Sequence, residues 1–298
     1  MKRVWAWWVE LTSRPTSVLP LALARILIAS VMLLDLLRVL QLGIVGDLWR
    51  APAAGGIGGF TDEGSLLVDL PPEAALATYW ITVAALACVA LGVVPIPATL
   101  VAVLADAQLG HLFPPGDRAI DRLLRTMLLL LMFSGWDKGL TLRIRHARAT
   151  VAQWPHLLVR WMLVIVYTSS GIGKLWMTRD WLGWARFPPL YRIVTDPMAG
   201  TLDPVRWLAF RPAFQVMSWC TVALELSSIL LLTRVAPWWG IVGALMHIGI
   251  FSMMELGMFS WGMLALYPIV FAPWIIRYAR SASPIPASAS DQGSQAGP

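Results

Sequence analysis

Eight long apolar runs, separated by short polar or Pro/Gly-rich stretches, set the pattern of the chain: about 18–40, 74–94, 96–113, 119–136, 156–176, 213–233, 236–256 and 260–279. Each approaches the roughly 20 residues that a helix needs to cross a bilayer. The runs are continuous rather than alternating, so the predicted spanning elements are helices and not barrel strands. The fold class expected is all-α: a polytopic transmembrane helical bundle of about eight spans. The third run holds Asp106 and Gln108, and the fourth opens on Asp121, Arg122 and Arg125, which makes these two the least apolar.

Three regions follow. Residues 1–17, with Lys2, Arg3, Arg14 and Trp5, Trp7 and Trp8, read as an interfacial N-terminal arm that stays attached, since no small-residue cleavage site follows it. Residues 18–280 read as one transmembrane domain. Residues 281–298 are Ser, Ala, Pro, Gln and Gly with one charge, a composition that cannot bury a core and is expected to be disordered.

Composition agrees: 58% of residues are hydrophobic and only 13% charged, which excludes an ordinary soluble enzyme. The 17 tryptophans suit aromatic belts at a membrane surface. The net charge of +6 therefore sets orientation and implies no nucleic-acid partner; the partner expected first is the lipid bilayer. Cys88 and Cys220 form no CxxC, and the histidines at 111, 146, 156 and 247 show no metal-ligand spacing, so no metal site is expected.

Lys and Arg placement predicts topology. The N-terminal arm, the stretch with Lys138, Arg143, Arg145 and Arg148, then Arg234, and finally Arg277 and Arg280 fall on one side of an eight-span scheme. That side is read as the cytoplasm, which makes this an inner-membrane protein with both termini cytoplasmic. Residues 43–72, with Arg50 as their one basic residue, fall outside. Residues 177–212 oppose the scheme, because they should be external yet hold Arg179, Arg186, Arg192, Arg206 and Arg211. Prolines 188, 189, 197, 204 and 212 rule out one long helix there, so the segment is expected to be an external lid or a re-entrant piece.

Ionisable groups inside spans cost several kcal/mol unless paired or hydrated, and so mark candidate sites. Arg25, Asp35, Arg38 and Asp106 are read as structural: Asp35 and Arg38 are three apart and can pair, and Asp106 can pair with Arg25. Glu225 has no evident local partner, so it should face a cavity or carry a proton. His247 is either a neutral bridge between helices or a catalytic group. In the run from Val166 to Trp176, Tyr167, Ser170 and Lys174 share one helical face with Gly171 beside them. A small, polar, glycine-lined stripe ending in a lysine suits close helix packing or a crevice for a flat ligand. A lysine partly stripped of water there can act as a base at neutral pH.

The same residues carry a family resemblance. Tyr167-x3-Gly171-x2-Lys174-Leu175, with Trp181-Leu182-Gly183 after it, resembles the central motif of the HTTM domain. That domain is shared by bacterial membrane proteins and the membrane part of vitamin K-dependent γ-glutamyl carboxylase. Leu23 to Arg38 resembles the family's first span, and His247 with Gly257-Met258-Phe259-Ser260 resembles its His…Phe-Ser region; the likeness runs from about Val18 to Pro273. The resemblance implies a reduced, menaquinol-like quinone as cofactor and Lys174 as the base that deprotonates it; His247 and Glu225, as polar groups within spans, are further catalytic candidates. Oxygenation of that quinol would give a strong base able to remove a glutamate proton so that carbon dioxide can add. Tyr167, Ser170 and Gly171 would line the binding site, and Arg179 and Arg186 would hold a substrate carboxylate.

Departures narrow the expectation. Gly173 stands where the carboxylase motif has the first of two adjacent lysines, and the carboxylase's second catalytic histidine has no secure counterpart near Asp117. So little chain lies beyond the membrane part that carboxylation of a whole protein is not expected. Two readings stay open. One is a quinol-dependent, carboxylase-like enzyme or oxidoreductase using Lys174. The other is a non-enzymatic partner in the maturation of a secreted peptide or protein, or a solute or lipid carrier.

Overall fold

A computed structural model of the chain describes residues 2–50, 64–68, 70–142, 149–176 and 189–281. Its principal helices are α1 (Lys2–Ser13), α2 (Leu19–Gln41), the short α3 (Val45–Leu48), α4 (Pro72–Leu91), α5 (Pro95–Leu112), α6 (Ala119–Leu131) and α7 (Trp154–Trp176). They are followed by α8 (Pro189–Val194), α9 (Arg211–Leu226), α10 (Ala236–Met253), α11 (Phe259–Leu264), α12 (Tyr267–Val270) and α13 (Ala272–Ser281). Proline sits in the first turn of α2, α4, α5, α9 and α10. There its missing N–H has no intrahelical acceptor to lose and its fixed φ favours the helix. The prolines thus start these helices rather than break them.

Five segments are long and apolar enough to cross a membrane: Leu19–Gln41, Pro72–Leu91, Trp154–Trp176, Leu208–Leu232 and Ala236–Met253. A sixth would be the pair Phe259–Val270 and Ala272–Ser281, which is bent by 58°. The protein is therefore a multi-pass helical membrane protein. The predicted third and fourth runs are helical too, as α5 and α6, but neither is in that set. With 13 residues, α6 rises only about 20 Å at 1.5 Å per residue, short of the roughly 30 Å hydrocarbon core.

The core is centred on α2, which packs against α4, α6, α12 and α13. Leu21, Ala24, Ile28 and Leu36 are buried along it. Elsewhere large apolar side chains face outward, among them Leu104 at 59% and Ile165 at 53% exposed, as lipid-facing surfaces require. Pro15–Ser17 pairs antiparallel with Thr150–Ala152, joining the start of α2 to the start of α7. Of the segment predicted as a lid, residues 177–188, with Arg179 and Arg186, lie outside the described residues. The remainder holds α8 and is tied to the α10–α11 connection: Glu255 N–H donates to Ala199 O (2.8 Å) and Thr201 N–H to Met253 O (3.2 Å). Beyond Ser281 the predicted tail is also outside the described residues.

Two of the expected ion pairs are corrected. Asp35 does not take Arg38 as its hydrogen-bonded partner but Arg118, at 2.5 Å, from the N-terminus of α6. Arg38 is exposed at the end of α2. Spacing along one helix showed that Asp35 and Arg38 could meet, yet it could not show that α6 brings a guanidinium closer. Asp106 likewise pairs with Arg125 at 2.8 Å and not with Arg25. Arg25 is fully buried and donates instead to the carbonyls of Trp136 (3.3 Å), Gly139 (3.4 Å) and Leu140 (2.5 Å), which lie just beyond the end of α6. These carbonyls, grouped around the 3₁₀ turn Trp136–Lys138, supply the acceptors that an acid would have supplied.

Candidate functional site

One face of α7 carries Tyr167, Ser170, Gly171 and Lys174, as the i, i+3, i+4 spacing requires. Gly171 lets α9 approach. A Cβ built there would lie 3.0 Å from Leu226 Cδ2 and 3.2 Å from Glu225 Cβ. The close approach presents Glu225, buried near the end of α9, to the lysine. Lys174 Nζ donates to both carboxylate oxygens of Glu225, at 2.5 and 2.7 Å, and to Ser170 Oγ at 2.7 Å. Ser170 Oγ in turn donates to Glu225 Oε1 at 3.1 Å.

The expectation of a lysine standing apart as a base is therefore not met. Its ammonium group is held by a carboxylate from another helix, and the partner that Glu225 lacked in sequence is Lys174. Just past Glu225 the helix tightens into a 3₁₀ stretch, Ser227–Leu232. Its first two side chains are tied to neighbours: Trp239 Nε1 donates to Ser227 Oγ (3.1 Å), and Ser228 Oγ lies 2.9 Å from Thr168 Oγ1.

A second polar group forms one turn lower on α7. The Tyr167 hydroxyl is 2.6 Å from His247 Nε2 and 2.8 Å from the Tyr267 hydroxyl. All three residues are buried. Trp239 meets the Tyr167 ring edge-on at 5.0 Å, and Phe259 packs on the His247 ring at 5.9 Å. His247 Nδ1 is buried with no hydrogen-bond partner among the described residues. A neutral imidazole with one nitrogen engaged still has a donor or acceptor to offer on the other.

Both groups open on one cavity of about 510 Å³. Tyr167, Ser170, Lys174, Glu225 and His247 line it, and most of the remaining wall is methionine, leucine, isoleucine and valine from α7 to α11. Five of the sequence candidates thus come together. Gly171 stands beside them as a packing residue. Tyr267 was not singled out in the sequence, although a lone tyrosine in an apolar run was a usable signal.

The other missed group is the cluster on α6. Arg118 bridges Asp35 and Asp121, and Arg125 bridges Asp106 and Asp117, which also takes Arg122. Asp117, Arg118, Asp121, Arg122 and Arg125 recur at three- and four-residue spacing, a pattern that signals one charged helix face. With Asp35 and Asp106 they line a smaller cavity of about 240 Å³, apart from Arg122. Because each guanidinium in it is engaged by carboxylates, the cluster reads as a cross-brace of α2, α5 and α6.

A family comparison matches residues 126–274 to the HTTM domain. The chain belongs to the HTTM domain family. No curated protein and no solved structure matches it. The HTTM match includes every residue lining the larger cavity and begins immediately after Arg125, the last residue of the charged cluster.

Proposed function

We propose that this HTTM protein binds a reduced, menaquinol-like quinone in the larger cavity and that the Lys174–Glu225 pair takes a proton from its hydroxyl. One observation carries the reading: a largely buried acid–base pair opens on a cavity whose wall is mostly apolar. The residues fit such a group. The volume is within the roughly 300–1,000 Å³ of small-molecule sites, and Ser170, Tyr167 and His247 add polar side chains to the wall. When bound, the quinol supplies an acidic hydroxyl and reducing equivalents.

Glu225 is the proton acceptor in this scheme. Its carboxylate can take a proton from a hydroxyl while Lys174 keeps its charge. The ammonium then faces the oxygen that has lost the proton, so one negative charge is exchanged for another and the site's net charge is constant. In a cavity whose wall is mostly apolar such a balanced exchange costs far less than creating a new charge. Ser170 orients the pair, and Tyr167 with Tyr267 fixes the His247 ring.

The test uses the purified protein in mild detergent. Trp239 lies against the cavity tyrosine, so added menaquinol should quench tryptophan fluorescence saturably, and organic extracts should contain a quinone. Glu225→Gln should keep binding and lose consumption of added quinol under oxygen. Binding without turnover in the unaltered protein would favour the carrier or maturation-partner reading. No binding would overturn both.

A further inference from the structure

We infer that the larger cavity opens sideways onto the hydrocarbon of the bilayer, between α9 and α10, and takes a neutral amphiphile whose apolar tail lies in that opening. The inference rests on the reading of this cavity as a ligand site, but not on the ligand being a quinol.

The opening is marked by residues that both line the cavity and lie on the molecular surface. On α9 these are Met217, 39% exposed, and Cys220, also exposed; on α10 they are Val242 at 52% and Leu245 at 63% exposed. Both helices belong to segments long and apolar enough to cross a membrane. A mouth onto water would be rimmed by polar side chains, whereas this rim is three large apolar residues and a thiol. In a membrane such a surface is met by acyl chains, so whatever fills the mouth is apolar.

The inner end sets the head of the ligand. Among the described residues, the charged groups on the wall are Lys174 and Glu225, and they sum to zero. Among the described residues, an anionic phosphate headgroup would face a carboxylate with no surplus cation to hold it. A hydroxyl or carbonyl has what it needs. The pair and Ser170 can exchange hydrogen bonds with such a group. Neutral head, apolar tail and lateral access together describe a ligand drawn from the membrane itself.

The test places a nitroxide on Cys220 in a Cys88→Ser background, in lipid vesicles, and a second on Leu245→Cys (with Cys220→Ser) in case the first label disturbs packing. A nitroxide at Met198→Cys, a position 90% exposed in a surface turn, gives a comparison. Collision with oxygen, which concentrates in hydrocarbon, should exceed collision with a water-soluble nickel chelate several-fold at the two rim sites, with the order reversed at position 198. A long-tailed menaquinol should slow the rim nitroxides, and a tail-less quinol should not. Nickel collision at the rim equal to that at position 198 would overturn the inference. So would a long-tailed ligand that quenches tryptophan fluorescence yet leaves both rim labels unchanged. If a long-chain alcohol slows the labels and menaquinol neither slows them nor quenches, the sideways opening stands and the quinol reading falls.

Discussion

The Lys174–Glu225 contact can be measured by removing its charges one at a time. Lys174→Met and Glu225→Gln each leave the other group charged in a site where the side chains are only 21% and 7% exposed. Breaking a fully buried pair in this way costs about 3–5 kcal/mol, mostly because the survivor is stranded. Lys174 keeps some access to solvent, so a discounted loss of about 2–4 kcal/mol is expected for each single change. The double variant strands nothing and should lose much less than the sum, giving a coupling energy of about 1.5–3 kcal/mol. At 2 kcal/mol the folded-to-unfolded ratio changes about 30-fold, well within reach of denaturant titrations followed by tryptophan fluorescence in detergent. If the two losses simply add, the ammonium and carboxylate are not engaged with each other. Lys174 would then be available as the base that its position in the HTTM motif suggested, and Glu225 would lose its role as acceptor.

Three further outcomes follow from the packing. Arg125→Met strands Asp106, leaves Asp117 with Arg122 alone, and should cost about 3–5 kcal/mol; Arg125→Lys should recover little, because one ammonium cannot reproduce a guanidinium fork that donates to Asp106 from Nη1 and to Asp117 from Nη2. Thermal unfolding of the two variants side by side checks this. Gly257 has φ +59° and its Cβ would fall 2.4 Å from Arg118 Nη1, so Gly257→Ala should destabilise by about 1–3 kcal/mol and by less in an Arg118→Gln background, a cycle readable by the same method. Gly171→Leu should push α9 from α7 and abolish the coupling between Lys174 and Glu225 while α7 stays helical, so the double-variant cycle repeated in that background should give additive losses.

The helices were legible because the information that makes them is local. Each of the eight apolar runs contains helix, and the prolines and glycines near their ends punctuate them: Pro72 opens α4, and Gly92, with φ 71°, closes it. The last run was read as one span, yet Pro268 and Pro273 stand within it, and the structure divides it into α11, α12 and α13. Within the site, the Tyr167–Ser170–Lys174 face followed from spacing on one helix. Glu225 and His247 were each conspicuous as polar groups in apolar runs. What spacing did not contain was which residues meet. Glu225 is 51 residues from Lys174, and His247 is 80 from Tyr167. Such meetings depend on how each helix is rotated and which helix lies beside it, so the misassigned partners of Asp35 and Asp106 and the unforeseen pairing of Lys174 share one cause.

The two polar groups of the protein have different relations to charge, and this separates scaffold from site. Around α6, guanidiniums and carboxylates interlock across three helices, and nearly every group is occupied by another protein group. Such a network fixes geometry but leaves little with which to bind. Around α7, among the described residues, the wall charges of the cavity are the Lys174–Glu225 pair, and the Tyr267 hydroxyl reaches His247 through that of Tyr167. The HTTM match divides the chain along the same line, since residues 126–274 contain the α7 group and exclude the α6 cross-brace. The matched segment thus holds the polar side chains that line the cavity, while the interlocked charges lie before it.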